Sequence, residues 1–190
     1  MSGEANNYDD QGNDLLIIVD SNDNEVGTLG KTDCHKGAGT LHRAFSVFLF
    51  DEQGRVLIQQ RSANKPLWPL IWANSCCSHP RAGETCDDAA ARRIEEELGL
   101  RCELDYLYKF EYQAQWDADK AEHELCWVFA GHFSGELTID PNEIADSRLL
   151  TPEELSAAIT ARPDEFSPWL KLEWARICDD FLDDILNQAA

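Results

Sequence analysis

Residues 74–100, N-S-C-C-S-H-P-R-A-G-E-T-C-D-D-A-A-A-R-R-I-E-E-E-L-G-L, constrain this chain more than any other stretch. A loop carrying two thiols and an imidazole runs straight into an acidic helix. Thr85 or Asp87 can cap the start of that helix, and Asp87 and Asp88 sit at the positive end of its dipole. No breaker interrupts residues 89–97, and Gly99 supplies a C-terminal cap. Arg93 and Glu97 share a helical face, and Glu96 meets Arg92 and Arg93 at helical spacing. Alone, such a helix reads as a solvated, salt-bridged surface element. The loop in front of it points elsewhere.

Loop and helix together resemble the Nudix box, G-x5-E-x7-R-E-U-x-E-E-x-G-U, with U a large aliphatic. Glu84, Arg92, Ile94, Glu96, Glu97, Gly99 and Leu100 meet the pattern. Ser78 stands where its first glycine is expected, and Arg93 where the first glutamate of R-E is expected. Nudix enzymes use carboxylates of this helix to hold divalent metal against a diphosphate. Arg93 exchanges one of them for a phosphate-binding cation, which suits a protein that holds a diphosphate and leaves it intact. The departure resembles type I isopentenyl-diphosphate isomerase.

Length and composition fit one globular domain: 190 residues, 43% hydrophobic, with six tryptophans. No apolar run approaches the ~20 residues of a membrane span. The start, M-S-G-E-A-N-N-Y-D-D, is acidic and polar, unlike a signal or transit peptide. Seven cysteines without paired spacing, two of them adjacent, read as reduced thiols in a cytoplasmic protein. Net charge is −20, from 36 acidic against 16 basic residues, of which only six are Lys. That balance works against nucleic acid and anionic membranes as partners, and any anion site must be a local basic cluster. It suits either a high-salt habitat or a merely acidic protein. A monomer is expected.

Residues 1–13 are expected to be disordered and 14–190 to form one domain, with the Nudix core at about 40–172. Hydrophobic patterning predicts strands over 14–20, 25–29, 41–50, 55–61, 70–73, 104–113, 124–133 and 148–150. Residues 31–40 and the thiol segment read as loops, and 116–123 as a polar, lid-like connection. Thr151, Pro152 and Glu154 open a capped helix to about residue 160. A longer helix starts at Pro168, where Leu170, Trp174, Ile177, Phe181 and Ile185 recur at helical spacing to about residue 186. The fold class is α+β. The resemblance implies a Nudix-type α/β/α sandwich of mixed sheet flanked by helices.

Single histidines are usually surface or hydrogen-bonded residues. Glu122 and Glu124, two apart on a strand, point to one face, and His123 points to the other. The segments K-T-D-C-H-K-G-A-G-T-L-H-R-A-F-S, N-S-C-C-S-H-P and E-H-E-L-C are similar to the type I isomerase motifs. The resemblance implies one divalent metal (Mn2+, Zn2+ or Mg2+) held by His35, His42, His79, Glu122 and Glu124. Five such donors argue against a simple tetrahedral structural zinc.

The implied substrate is isopentenyl diphosphate, converted to dimethylallyl diphosphate in isoprenoid biosynthesis through a tertiary carbocation. The resemblance puts Cys77 and Glu124 on opposite faces of the substrate, with Tyr112 beside Glu124 and Trp169 of F-S-P-W as the aromatic wall. A face-on indole stabilises a desolvated cation by ~2 kcal/mol or more. Trp72 is expected as a second wall, and Cys76 as packing. The implied diphosphate ligands are Lys31, Arg61, Lys65, Ser78 and Arg93, with Mg2+ held by Glu97 and the main-chain oxygen of Cys77. Two alternatives stand beside this reading: a Nudix diphosphohydrolase, and an inactive metal-binding Nudix module.

Overall fold

Residues 42–50, H-R-A-F-S-V-F-L-F, are apolar almost throughout, the pattern of a strand buried on both faces. In the computed structural model, which describes residues 14–188, that strand is the centre of the fold. The expected disorder of residues 1–13 lies outside the described residues.

The chain enters through strands β1 (Leu15–Val19) and β2 (Glu25–Gly30), a hairpin leading to a single helical turn, α1 (Lys31–Cys34). Strands β3 (His42–Phe50), β4 (Val56–Arg61), β5 (Trp72–Ala73) and β6 (Cys76–Ser78) follow. After helix α2 (Cys86–Leu98) come the long strands β7 (Leu104–Gln115) and β8 (Ala121–His132), then β9 (Ile144–Leu150). Helices α3 (Pro152–Ala161), α4 (Pro168–Asp180) and α5 (Leu182–Gln188) complete the described residues.

Strand β3 runs parallel to β8 over its whole length, with His42 opposite Glu124 and Phe50 opposite His132. Its other edge receives β6 antiparallel, with Ser46 opposite Cys77 and Val47 opposite Cys76. β7 pairs antiparallel with β8, and β9 with β4. Alternation along β3 then sorts the core into two layers. Phe45, Val47 and Leu49 pack with Ala89, Ala90, Ile94 and Leu98 of α2. Phe48 and Phe50 pack on the other face with Leu155 of α3, Leu170, Trp174 and Ile177 of α4, and Ile185 of α5. A mixed sheet flanked by helices is the expected α+β sandwich.

Three local expectations are corrected. The thiol segment is a strand, β6, because β3 offers it a free edge to bond. The lid-like 116–123 is shorter than expected: β7 ends at Gln115 and β8 starts at Ala121, so only a tight turn over 116–120 remains. Trp116 donates its amide to the Lys120 carbonyl there at 3.0 Å, and Gly37 donates to the Asp119 carbonyl at 2.7 Å. Trp72 does not line the cavity that Trp169 lines; it packs in the α4-side core with Arg148 over its ring at 4.1 Å. In addition, the loop expected over 31–40 contains the turn α1, and the last helix breaks at Phe181.

Thr85 caps α2 through the Asp88 amide, and Gly99 closes it with φ +69°. A Cβ at Gly99 would stand 2.7 Å from the Thr138 Cβ. Both the left-handed backbone and the close approach require glycine. Gly99→Ala should therefore lower stability by about 1–3 kcal/mol. A urea melt measures it; an unchanged midpoint would mean that the Thr138 segment yields freely.

Candidate active site

Strand alternation separates the two thiols. Cys76 points into the α2 core and is fully buried, whereas Cys77 points to the α4 side and lines a cavity of about 800 Å³. The same cavity is lined by His35, His79, Glu122, Glu124, Tyr112 and Trp169, and by Lys31, Arg61, Lys65, Ser78 and Arg81.

At one end, His35, His42, His79, Glu122 and Glu124 converge, with one donor atom from each lying within 4.8 Å of all the others. The parallel pairing of β3 with β8 puts His42 beside Glu124. The Nδ1 atoms of His35 and His42 lie 2.6 Å and 2.7 Å from the carbonyl oxygens of Lys31 and Thr40. Those contacts hold Nδ1 against the main chain and turn Nε2 inward, the usual way a protein orients a metal-binding imidazole. His35 Nε2 stands 2.8 Å from Glu122 Oε2 and His79 Nε2 2.9 Å from Glu124 Oε1, while His42 Nε2 and His79 Nδ1 are buried without a hydrogen-bond partner.

Charge gives the same answer. Burial, then His35, hold His42 down to about 4. Burial and His42 push His79 well below the ordinary imidazole range. Burial opposes ionisation of Glu122, but its hydrogen bond to His35 wins and holds it down to about 2. Glu124 is pushed up by burial and by the charge of Glu122. His42 and His79, held neutral, stand beside two buried carboxyl groups, a donor set that a divalent cation would complete. The donor set fits a metal, as expected from the sequence. His123 lies outside it, 3.1 Å from Glu111.

Above this cluster, the Tyr112 hydroxyl donates to Glu124 Oε2 at 2.6 Å. Burial pushes the Cys77 thiol up to about 12, against the pull of Arg61. Arg61 Nη1 is 3.8 Å from Cys77 Sγ, and its guanidinium lies 5.4 Å from the Trp169 ring centre. Trp169 is fixed by its indole N–H, which donates to Asn74 Oδ1 at 3.0 Å. Trp68 meets the Trp169 ring edge-on at 5.4 Å. The sequence reading missed this buttress; its signal was the W-P pair in a loop already carrying Lys65.

A Nudix domain model matches residues 40–170. An isopentenyl-diphosphate Delta-isomerase of Photorhabdus laumondii is 40% identical, covering 88% of this chain and 97% of that protein. One from Nocardia farcinica is 44% identical, covering 80% and 88%. The chain belongs to the isopentenyl-diphosphate Delta-isomerase family of Nudix proteins. Solved structures give the same fold. A Deinococcus radiodurans protein, 26% identical, superposes with a TM-score of 0.64 over 78% of this chain and 90% of its own. A MutT Nudix hydrolase of Burkholderia pseudomallei, 19% identical, gives 0.53 over 70% and 98%.

In this Delta-isomerase family member, Lys31, Arg61 and Lys65 line the same cavity as the cluster. Burial and the neighbouring charges of Lys65 and Arg93 push Lys31 below its usual range. Crowded cations of this kind call for an anion between them. Three expected site residues stand back from the wall: His42, buried within the cluster, and Arg93 and Glu97. Arg93 is bound by Glu97 at 2.5 Å, Glu96 at 2.9 Å and Glu143 at 3.0 Å. Glu97 is buried behind β6, outside the five-residue cluster, where burial pushes its carboxyl up against the pull of Arg93. Glu143 also pairs with Lys65, so Arg93 reaches the cavity through that lysine.

Removing one donor of the cluster should loosen its metal. Glu122→Gln should lower metal affinity at least ~10-fold, on the scale of changes around such sites. Elemental analysis and a chelator competition measure it. Undiminished metal in the variant would take Glu122 out of the donor set.

Proposed function

We propose that this chain converts isopentenyl diphosphate to dimethylallyl diphosphate by moving one double bond through protonation and deprotonation. The observation that carries this reading is the position of Cys77, Glu124 and Trp169 around one cavity that Lys31, Arg61 and Lys65 also line. Lys31, Arg61 and Lys65, helped by Ser78, bind the diphosphate and orient the five-carbon chain between thiol and carboxyl. Charge-assisted contacts of this kind are roughly twice as strong as neutral ones. Arg93 supports them from behind Lys65.

The chemistry needs a proton delivered at C4 and one removed at C2. Cys77 and Glu124 are the two groups that hold and accept those protons, and Tyr112 fixes the Glu124 carboxyl by its hydrogen bond. The Trp169 ring faces the tertiary cation formed between the two transfers, and the buried walls exclude water that would trap it. A divalent metal (Mn2+, Zn2+ or Mg2+) in the His3Glu2 cluster, when bound, supplies positive charge that lowers the proton affinity of Glu124. A Mg2+ carried with the diphosphate would be held by Glu97 and the Cys77 main-chain oxygen, with Glu97 exchanging its Arg93 contact for the ion. The substrate is a small molecule, and among the described residues no helix is long and apolar enough to cross a membrane. A cytoplasmic monomer fits this reading.

Proton NMR of isopentenyl diphosphate in D2O with Mg2+ and enzyme is the test. Deuterium should enter the new methyl group. Free phosphate without isomerisation would make the chain a hydrolase. Cys77→Ala should lose several orders of magnitude in rate, because one proton loses its carrier. Cys76→Ala, in the other core layer, should retain most of it. Equal losses in the two variants would overturn the role given to Cys77.

A further inference from the structure

One buried acid has no part in the scheme above. Glu173 is completely buried on α4, one helical turn after Trp169 and on the same face. Its Oε1 receives the Cys126 thiol at 3.5 Å, and that thiol is shared with Ser46 Oγ, also at 3.5 Å. Its Oε2 is buried with no hydrogen-bond partner. The groups that face the carboxyl are Ser46 from β3, Cys126 from β8 and, further along β8, Glu124. From β7, the Tyr108 hydroxyl donates to the Glu173 main-chain carbonyl at 3.3 Å. On its own helix, Arg176 lies over the Tyr108 ring at 4.0 Å, not on the Glu173 carboxyl.

These neighbours tie Glu173 to the site from below. Ser46 lines the cavity and stands opposite Cys77 in the β3–β6 pairing. Cys126 is two residues beyond Glu124 on the same face of β8. The Ser46, Cys126 and Glu173 group therefore joins the strand opposite the thiol, the strand of the carboxyl and the helix of the tryptophan.

A carboxylate there would have an unpartnered charged oxygen and a second negative group nearby, at a high cost. A neutral carboxylic acid costs far less. Burial also pushes the Glu173 carboxyl up to about 7.

We propose that Glu173 is a positioning residue of the isomerase site: as a neutral acid it holds the cavity floor, Ser46 and Cys126, against the helix that carries Trp169. This rests on the isomerase reading. Ionisation of Glu173 would place a charge under the floor, splay the Ser46 and Cys126 contacts and disfavour the ionised form of Glu124.

Glu173→Gln, neutral at every pH and close to the same shape, tests it. The variant should match the wild type within about twofold in kcat at pH 6, with KM unchanged, because Glu173 does not reach the cations. Above neutrality the two should diverge. The variant-to-wild-type ratio of kcat should grow roughly tenfold between pH 6.5 and 8, as the wild type loses its neutral acid. The infrared carbonyl band of a protonated carboxylic acid should fade in the wild type over the same range, and that component should be missing from the variant. Superimposed pH profiles would overturn the role of Glu173 and leave only packing. A large kcat loss in the variant at pH 6, with its fold intact by circular dichroism, would show that an ionised Glu173 is required and would overturn it too. Absence of turnover in the wild type would overturn the isomerase reading itself, whereas turnover with a flat ratio would overturn only this inference.

Discussion

The parallel pairing of β3 with β8 is the constraint on which the rest depends. It sets His42 opposite Glu124, two strands' worth of backbone hydrogen bonds fixing two donors of one cluster. A one-residue slip would turn Glu122 and Glu124 to the wrong face and bring His123 inward. The same strand β3 then takes β6 on its other edge, so the thiol and the carboxyl approach the cavity from two sides of one backbone. Both faces of β3 are covered by helices, and that burial makes its register costly to change.

Much of this was legible in the residues. The helix caps at Thr85 and Gly99 and the capping box at Thr151 are local chemistry, and local chemistry reads directly from sequence. The two-residue spacing of Glu122 and Glu124 stated their common face. What was not legible depended on partners far along the chain. Cys76 to Ser78 has no strand signal of its own; it becomes a strand because the β3 edge needs its hydrogen bonds filled. Trp72 and Trp68 both sit in aromatic-rich sequence, and only the fold decides that one packs beneath Arg148 and the other behind Trp169. Arg93 was legible as a cation near carboxylates, but its three acidic partners include Glu143, fifty residues on in the sequence.

The acidic surface and the cations lining the cavity are two halves of one arrangement. With a net charge of −20, the protein repels anions over most of its surface. A few cations converging where burial strengthens their field can still hold one diphosphate, because screening by salt acts mainly on exposed charges. The Lys65–Glu143–Arg93 chain keeps those cations in place without cancelling them all at the cavity wall.

The orphaned donors of the His3Glu2 cluster also bear on how much of this protein a cell can keep. Buried ring nitrogens of His42 and His79 without partners are a debit against the folded chain until a cation arrives. A metal that binds only the folded form adds about 2.7 kcal/mol at a hundredfold excess over its dissociation constant. Against a typical stability of ~5–15 kcal/mol, that is enough to move the unfolded fraction by about two orders of magnitude. With a metal bound there, ion supply would act on the lifetime of the protein as well as on its turnover, and a metal-starved cell would lose it by degradation in addition to idling it.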